Sequence, residues 1–375
     1  MFFRMRIRFL ATLIIPLISG ACTPGVQAGG GAASRDSSTL TARFEPAGGR
    51  QREVQPAQGE RHFSTVRQIT FGGENAEAYF SADGQWLTLQ STRDNRTCDQ
   101  QYVMRIDGSG VKRVSDGRGK TTCGWFFPWG DRLFFSSSSA HDLACPPRPD
   151  PSKGYIWPLD RYDIYSVNRD GSGLKRITNY DVYTAEGVLS PDGTRIVFTS
   201  LKDGDLDIYT MNVDGSDVRR LTNTPGYDGG AWWSPDGRRI VYRANHPTDS
   251  TELRAYRDLL GQRLVRPSRV ELFTMNADGS DQRQITRLGG ANFGPSWSPD
   301  GRKIIFSSNY KSPRSGNFDL YLVNSDGSGL EQVTFDGTFD GFPMFSPDGK
   351  KVVWASNRGA VKEGETNLFV ADWVN

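Results

Sequence analysis

GVLSPDGTRIVFTSLKDGDLDIYTMNVDGSDVRRLT, residues 187–222, holds four short apolar runs separated by turn residues. The first is Gly-Val-Leu. Ser190-Pro191-Asp192-Gly193 follows, a Pro and Gly turn signal. Arg195–Ser200 (RIVFTS) is rich in β-branched and aromatic residues, the composition of a strand. Leu201–Asp205 bends the chain, Asp207–Asn212 (DIYTMN) is a third run, and Asp214-Gly215-Ser216 is a tight turn into Val218–Thr222 (VRRLT). Short runs joined by Asp-Gly turns predict an antiparallel meander of four strands.

The unit recurs along the chain. Ser-Pro-Asp-Gly begins again at Ser234, Ser298 and Ser346, as Ser-Ala-Asp-Gly at Ser81, and in degenerate form at Phe127, giving anchors at 81, 127, 190, 234, 298 and 346. Asp-Gly-Ser begins at Asp107, Asp170, Asp214, Asp278 and Asp326, each preceded five residues earlier by an aromatic. The fourth run follows each turn: VKRVS, LKRIT, VRRLT, QRQIT and LEQVT. Six first strands are thus followed by five fourth strands, and the sixth unit stops at NLFVADWVN. The missing run stands at the other end, where Val66–Thr70 reads VRQIT. A ring whose N-terminal strand completes the last sheet accounts for this, and closure removes the exposed edges that template aggregation. The expected fold is all-β: a six-bladed β-propeller over residues 64–375.

A formal charge of +2, with Lys and Arg spread over fourth strands and turns, argues against nucleic acid as a partner. Residues 1–21 read as an export signal: Arg4, Arg6 and Arg8, an apolar stretch Phe9–Ile18 too short to span a bilayer, and the small residues Ser19-Gly20-Ala21. With Cys22 next, the segment resembles a bacterial lipoprotein signal, which implies lipidation of Cys22; ordinary cleavage after Ala21 or Ala28 is the alternative. One lipid signal anchors a chain rather than spanning it through the membrane. Residues 22–63 are rich in Gly, Ala, Ser, Pro and Gln and read as a flexible tether, because they bury too little to offset their ordering entropy. Cys98, Cys123 and Cys145 fall in loops on one propeller face. Export favours a disulfide, the pair undecided, over a three-Cys metal site lacking any CxxC.

The anchors are spaced 46, 63, 44, 64 and 48 residues apart, so blades 2 and 4 carry insertions, at 139–161 and 245–269. The second has a helix-compatible core at Thr251–Leu264. Both leave the face of the blade-to-blade loops, and insertions on one face mark a binding face. Six residues before the anchors stand Asn75, Thr121, Thr184, Asp228, Asn292 and Asp340; four before stand Glu77, Cys123, Glu186, Gly230, Gly294 and Phe342. The polar residues among them (Asn75, Glu77, Thr121, Thr184, Glu186, Asp228, Asn292, Asp340) are candidates for partner binding at the channel mouth. Ordinary turn residues bonded to their own backbone are the plainer reading. Tyr180, Tyr183, Tyr227, Phe293 and Phe339 add aromatic anchors nearby.

The turn aspartates lack the EF-hand spacing, so turn geometry is preferred to calcium binding. No Gly-x-Ser-x-Gly elbow, phosphate-binding loop or cofactor motif occurs, and no catalytic residue or metal ligand is assigned. Of three histidines, His62 falls in the tether, while His141 and His246 begin the insertions; a metal or base role there would need the insertions to fold over the mouth.

The repeats SPDGTRIVFTS…DLDIYTMNVDGSDVRRLT and WSPDGRKIIFSS…FDLYLVNSDGSGLEQVT closely resemble the TolB-type (WD40-like, PD40) propeller repeat, over nearly all of residues 64–375. The resemblance implies a periplasmic or outer-membrane protein of the cell envelope; the lipoprotein-like signal adds a lipid anchor, and the cell surface is the alternative location. It also implies a non-catalytic scaffold, expected as a monomer, that captures an envelope protein or peptide at the propeller mouth without a cofactor. TolB proteins carry an α/β domain before the propeller, and the stretch before residue 64 is too short for one. TolB-like propellers also include metal-dependent oligogalacturonate lyases with several mouth histidines. An enzyme or glycan-binding protein acting on polysaccharide is therefore the alternative, with Tyr155–Trp157 as its support.

Overall fold

Six β-sheets stand around a central channel in the computed structural model, which describes residues 51–375 apart from Arg148, Pro149, Pro151, Lys153 and Gly154. The expected export signal, Cys22 and residues 22–50 lie outside the described residues.

Blade 3 is the meander expected from the repeat. Strands Thr184–Leu189, Arg195–Ser200, Asp207–Asn212 and Arg219–Arg220 pair antiparallel in chain order. Apart from Arg195 and Asn212 the middle strands are buried, whereas the fourth strand has two residues, both exposed. Short, Arg-bearing outer strands are what an edge requires to resist pairing with another chain.

The turn residues are held by their own side chains. Ser190 Oγ donates to Asp192 Oδ1 at 2.6 Å and accepts the Arg195 N–H at 2.9 Å. The same closure recurs at Ser234, Ser298 and Ser346. In the Asp-Gly-Ser turns, Asp214 Oδ1 accepts both the N–H and the hydroxyl of Ser216. These bonds hold the turn carboxyls below their usual range, the serine hydroxyl being the larger cause. The Thr ending each fourth run has a fixed task as well. Thr222 Oγ1 accepts the Ile208 N–H at 2.9 Å and donates to Asp207 at 3.2 Å.

Ring closure follows the expected scheme. Strand Phe63–Gln68 pairs with the last strand, Asn367–Trp373, with Val66 opposite Ala371 and Gln68 opposite Phe369. Thr70 then does for blade 6 what Thr222 does for blade 3: it accepts the Leu368 N–H at 2.8 Å and donates to Asn367 at 3.1 Å. Phe63 stacks on Trp354 at 5.0 Å inside the last core cluster.

The tether boundary needs correction. Strand Arg52–Val54 lies within the expected tether yet adds a fifth strand to blade 6, Val54 opposite Val66. Glu60, 3% exposed, accepts Arg358 Nη2 at 2.9 Å, and Arg358 also reaches Asp340 at 3.0 Å and Asp336 at 3.0 Å. The physical reason is that strand Phe63–Gln68 is long and would otherwise be an open edge. A three-residue strand is too short to show as periodicity.

Arg358 sits over the rings of Trp354 and Phe369, so it joins the N-terminal segment to blade 6 by charge and by packing. Arg358→Ala strands buried carboxylates and is expected to cost about 3–5 kcal/mol in urea denaturation. Burial pushes Asp340 up to about 7, so this carboxyl protonates in acid. The loss should therefore be smaller at about pH 5 than at about pH 8.

Candidate functional site

The innermost strand of every blade breaks its register at one place. Pairing shifts between Ala76 and Tyr79, Thr122 and Trp125, Ala185 and Val188, Gly229 and Trp232, Phe293 and Ser296, and Gly341 and Met344. The residue at each bulge is the one four before the anchor: Glu77, Cys123, Glu186, Gly230, Gly294 and Phe342. All six have φ between 50° and 60°. Four are not glycine, and left-handed backbone costs such residues on the order of 1 kcal/mol or more each. The bulge separates the fates of the two candidate rings.

The ring six before the anchors is buried, not presented. Asn75, Thr121, Thr184, Asp228, Asn292 and Asp340 are each 0% exposed. Asn75 Nδ2 donates to Thr366 O at 2.9 Å, Asn292 Nδ2 to Val270 O at 2.8 Å, and Thr121 Oγ1 to Asp99 O at 3.4 Å. Each of these bonds stitches a blade to the loop of the blade before it. Asp228 and Asp340 are taken by His246 and by Trp354 with Arg358, and Thr184 by Ser200. Of the eight expected partner-binding residues, only Glu77 and Glu186 line the channel cavity. The blade-to-blade junction leaves carbonyls that need donors, and the residue at the strand start supplies them.

The mouth is roofed. Strand Trp157–Pro158 of the first insertion pairs with Leu264–Val265 of the second, Val265 opposite Trp157 and Leu264 opposite Pro158. The helix before it, Ser250–Leu260, is capped by Asp249, whose side chain accepts the Thr251 and Glu252 N–H groups. Leu159, Val265, Val270, Leu206 and Tyr227 form a small core under this strap. Cys98 bonds Cys145, tying the first insertion to the neighbouring loop of blade 1, and Cys123 is free.

Beneath the strap is a cavity of about 290 Å³. Its walls include Tyr79, Tyr162, Tyr183, Tyr227, Phe293 and Phe342, its roof Trp157 and Leu159, with Tyr155 beside them. Deeper in the channel, two residues before the anchors, Tyr79, Trp125 and Trp232 meet at 4.7–5.4 Å and plug it, Trp232 edge to face with the other two. Tyr180, expected among the aromatic anchors, packs instead in a blade core against Phe198 and its neighbours.

Arg243 ties roof to wall. It pairs with Glu186, donates from Nε to Tyr227 Oη at 2.7 Å, and lies 5.2 Å from the Trp157 ring centre. Glu186 also accepts Thr199 Oγ1 at 2.7 Å and the Gly230 N–H at 2.8 Å. Glycine at 230 is required here: a Cβ would lie 2.1 Å from Arg243 Nη1. An arginine following the apolar run IVY, Arg243 in RIVYRAN, was the sequence signal for this latch. Three aromatics two before the anchors were the signal for the plug.

Glu77 has no such partner. Its side chain lines the cavity, and its Oε2 is buried without a hydrogen bond. Burial pushes its pKa from 4.5 up to about 7, opposed by a hydrogen bond from Cys123 and reinforced by the charge of Glu186. Burial, then the same two carboxylates, push the Cys123 thiol well above its ordinary value, so it is not a thiolate at neutral pH. His141 contacts Asp163 at 2.7 Å and Asp181 at 3.1 Å, and His246 contacts Asp228 at 2.9 Å; neither lines the cavity. No group of three or more His, Cys, Asp or Glu is placed to hold a metal among the described residues.

Residues 158–257 and 258–372 both match the TolB beta propeller domain, PD40. The chain belongs to that family. An uncharacterized protein of Agrobacterium fabrum, Atu1656, is 30% identical over 139 residues, 35% of this chain and 41% of that protein. The match therefore spans about two-fifths of the relative's length. Among solved structures, the putative TolB from Agrobacterium tumefaciens is 19% identical with a TM-score of 0.54, covering 81% of this chain and 91% of that one. An oligogalacturonate lyase in complex with manganese is 16% identical with a TM-score of 0.51, covering 88% and 99%. At such identity these likenesses establish the propeller fold alone. No helix among the described residues is long and apolar enough to cross a membrane.

The Glu77 carboxyl makes a signed prediction. Its folded pKa of about 7 exceeds the ordinary 4.5, so the folded state holds the proton more tightly. The resulting stability is fully present below about pH 4.5 and is lost as pH rises through about 7. Glu77→Gln lacks this loss. In urea denaturation the variant should gain on the wild type between about pH 5 and pH 8; a difference that does not vary with pH would show that Glu77 ionises normally.

Proposed function

We propose that this chain is an exported cell-envelope binding protein whose roofed chamber captures a short chain end or side chain of a protein or peptide partner without chemistry. The observation that carries this reading is the chamber itself. It is closed below by an aromatic plug and covered above by a strap from two insertions, and it is walled mostly by aromatic rings. Concave, mainly apolar sites with a few oriented polar groups are the form that ligand capture takes. The signal-like residues 1–21 and Cys22 support a periplasmic or outer-membrane location with a lipid anchor.

A second reading rests on Glu77. A carboxyl with a pKa near neutrality suits a general acid or base, and Tyr155 and Trp157 offer ring faces to a sugar. Turnover of a polysaccharide that Glu77→Gln abolishes would replace binding by catalysis.

The test of the first reading is photocrosslinking in intact cells from position 155, where Tyr155 is 52% exposed beside the chamber. One dominant envelope protein, lost when Trp157→Ala opens the roof, is the expected result. Adducts unchanged by Trp157→Ala, or none above background, would overturn the chamber as the capture site.

A further inference from the structure

We infer that the chamber is built for a protonated amine carried on an apolar or aromatic body, with Glu77 as its counter-charge. The inference rests on reading the chamber as a ligand site and names the chemistry of what enters it.

Charge is the first argument. The groups facing Glu77 are Cys123, Glu186, Asp99 and Arg243, and Lys120 and Asp160 also line the cavity. That sets four carboxyl groups against two cations. Arg243 is already committed to Glu186 and to Tyr227. A second anion would therefore meet an uncompensated carboxylate in a desolvated space, which is strongly unfavourable. A neutral guest would leave that carboxylate buried without its counter-charge. A cation relieves it.

The second argument is the open hydrogen-bonding position. Glu77 Oε2 is buried without a partner, whereas Glu186 is fully engaged by Thr199, Gly230 and Arg243. Buried polar atoms in folded proteins are nearly always paired, so an unpaired one on a side chain that lines a cavity marks the place of an absent donor. The left-handed bulge at Glu77 is the device that turns this side chain toward the channel.

The third argument is the wall. Tyr79, Tyr162, Tyr183, Phe293 and Trp157 present rings around the space, and ring faces attract cations, more so where water is excluded. Arg243 shows the same wall at work, since it lies over the rings of Trp157 and Tyr227. The volume holds roughly ten waters, room for an amine on a short chain or a single ring.

The experiment is calorimetric titration of the full-length protein at about pH 8 with three near-isosteres: phenethylamine, 2-phenylethanol and phenylacetate. The amine should bind at least about tenfold more tightly than the alcohol, and phenylacetate should not bind. Glu77→Gln, checked for a cooperative melting transition no lower than the wild type's, should remove the amine's advantage while leaving the alcohol's affinity in place. At about pH 7, amine binding should release a fraction of a proton, read as heats that vary with the buffer's ionisation enthalpy. The tripeptide amides Ac-Gly-Lys-Gly-NH2 and Gly-Gly-Gly-NH2 separate a lysine side chain from a chain terminus as the source; if neither peptide binds while phenethylamine does, the natural guest is a free amine. Equal binding of amine and alcohol, or an amine advantage that survives in the Glu77→Gln protein, would overturn the charge assignment while leaving the chamber a ligand site. Binding by none of the probes would overturn the chamber reading itself.

Discussion

Closing the ring is the constraint on which the structure depends. A row of four-stranded units ends in two open edges, and this chain removes them by laying Phe63–Gln68 against Asn367–Trp373. Once closed, the six innermost strands face a common axis, and every residue at a given distance from its anchor lies at the same depth. The seam is reinforced where it would first open. Arg358 holds Glu60 from the N-terminal side and Asp340 from blade 6, and Phe63 stacks on Trp354. Fraying of an edge strand is the lowest-energy opening available to such a fold.

Depth along the axis then decides the chemistry. At the strand start, side chains spend their hydrogen bonds on the loops between blades. Two residues on, the left-handed bulge points a side chain into the channel, and two residues further aromatic rings fill it. The backbone strain of four non-glycine residues is tolerated because the ring holds both neighbours of each strand in place. Glu77 with Cys123 and Glu186 with Arg243 thereby form a polar layer between an aromatic plug and an aromatic roof.

The fold was legible because its signals are local and repeated. Ser190 and Asp192 close their own turn, and Thr222 caps a strand fourteen residues earlier, so a motif reports the structure it makes. The site was half legible. Register placed Glu77 and Glu186 at the mouth, but it also placed Asn75 and Asp340 there, because counting residues does not reveal a bulge that inverts which face a side chain takes. Strand Arg52–Val54 was hidden by its shortness and by a composition that resembles the tether before it.

The sequence by itself determined the six units, their turns, the borrowed N-terminal strand and the two insertions, since each is written in contacts between residues near in the chain or in a repeat count. Only the tertiary structure decided that the insertions pair with each other over the mouth, that Cys98 joins Cys145 rather than Cys123, and that Arg243 pairs with Glu186 and not with Glu77. These are contacts between residues far apart in the chain, made possible by the geometry of the closed ring.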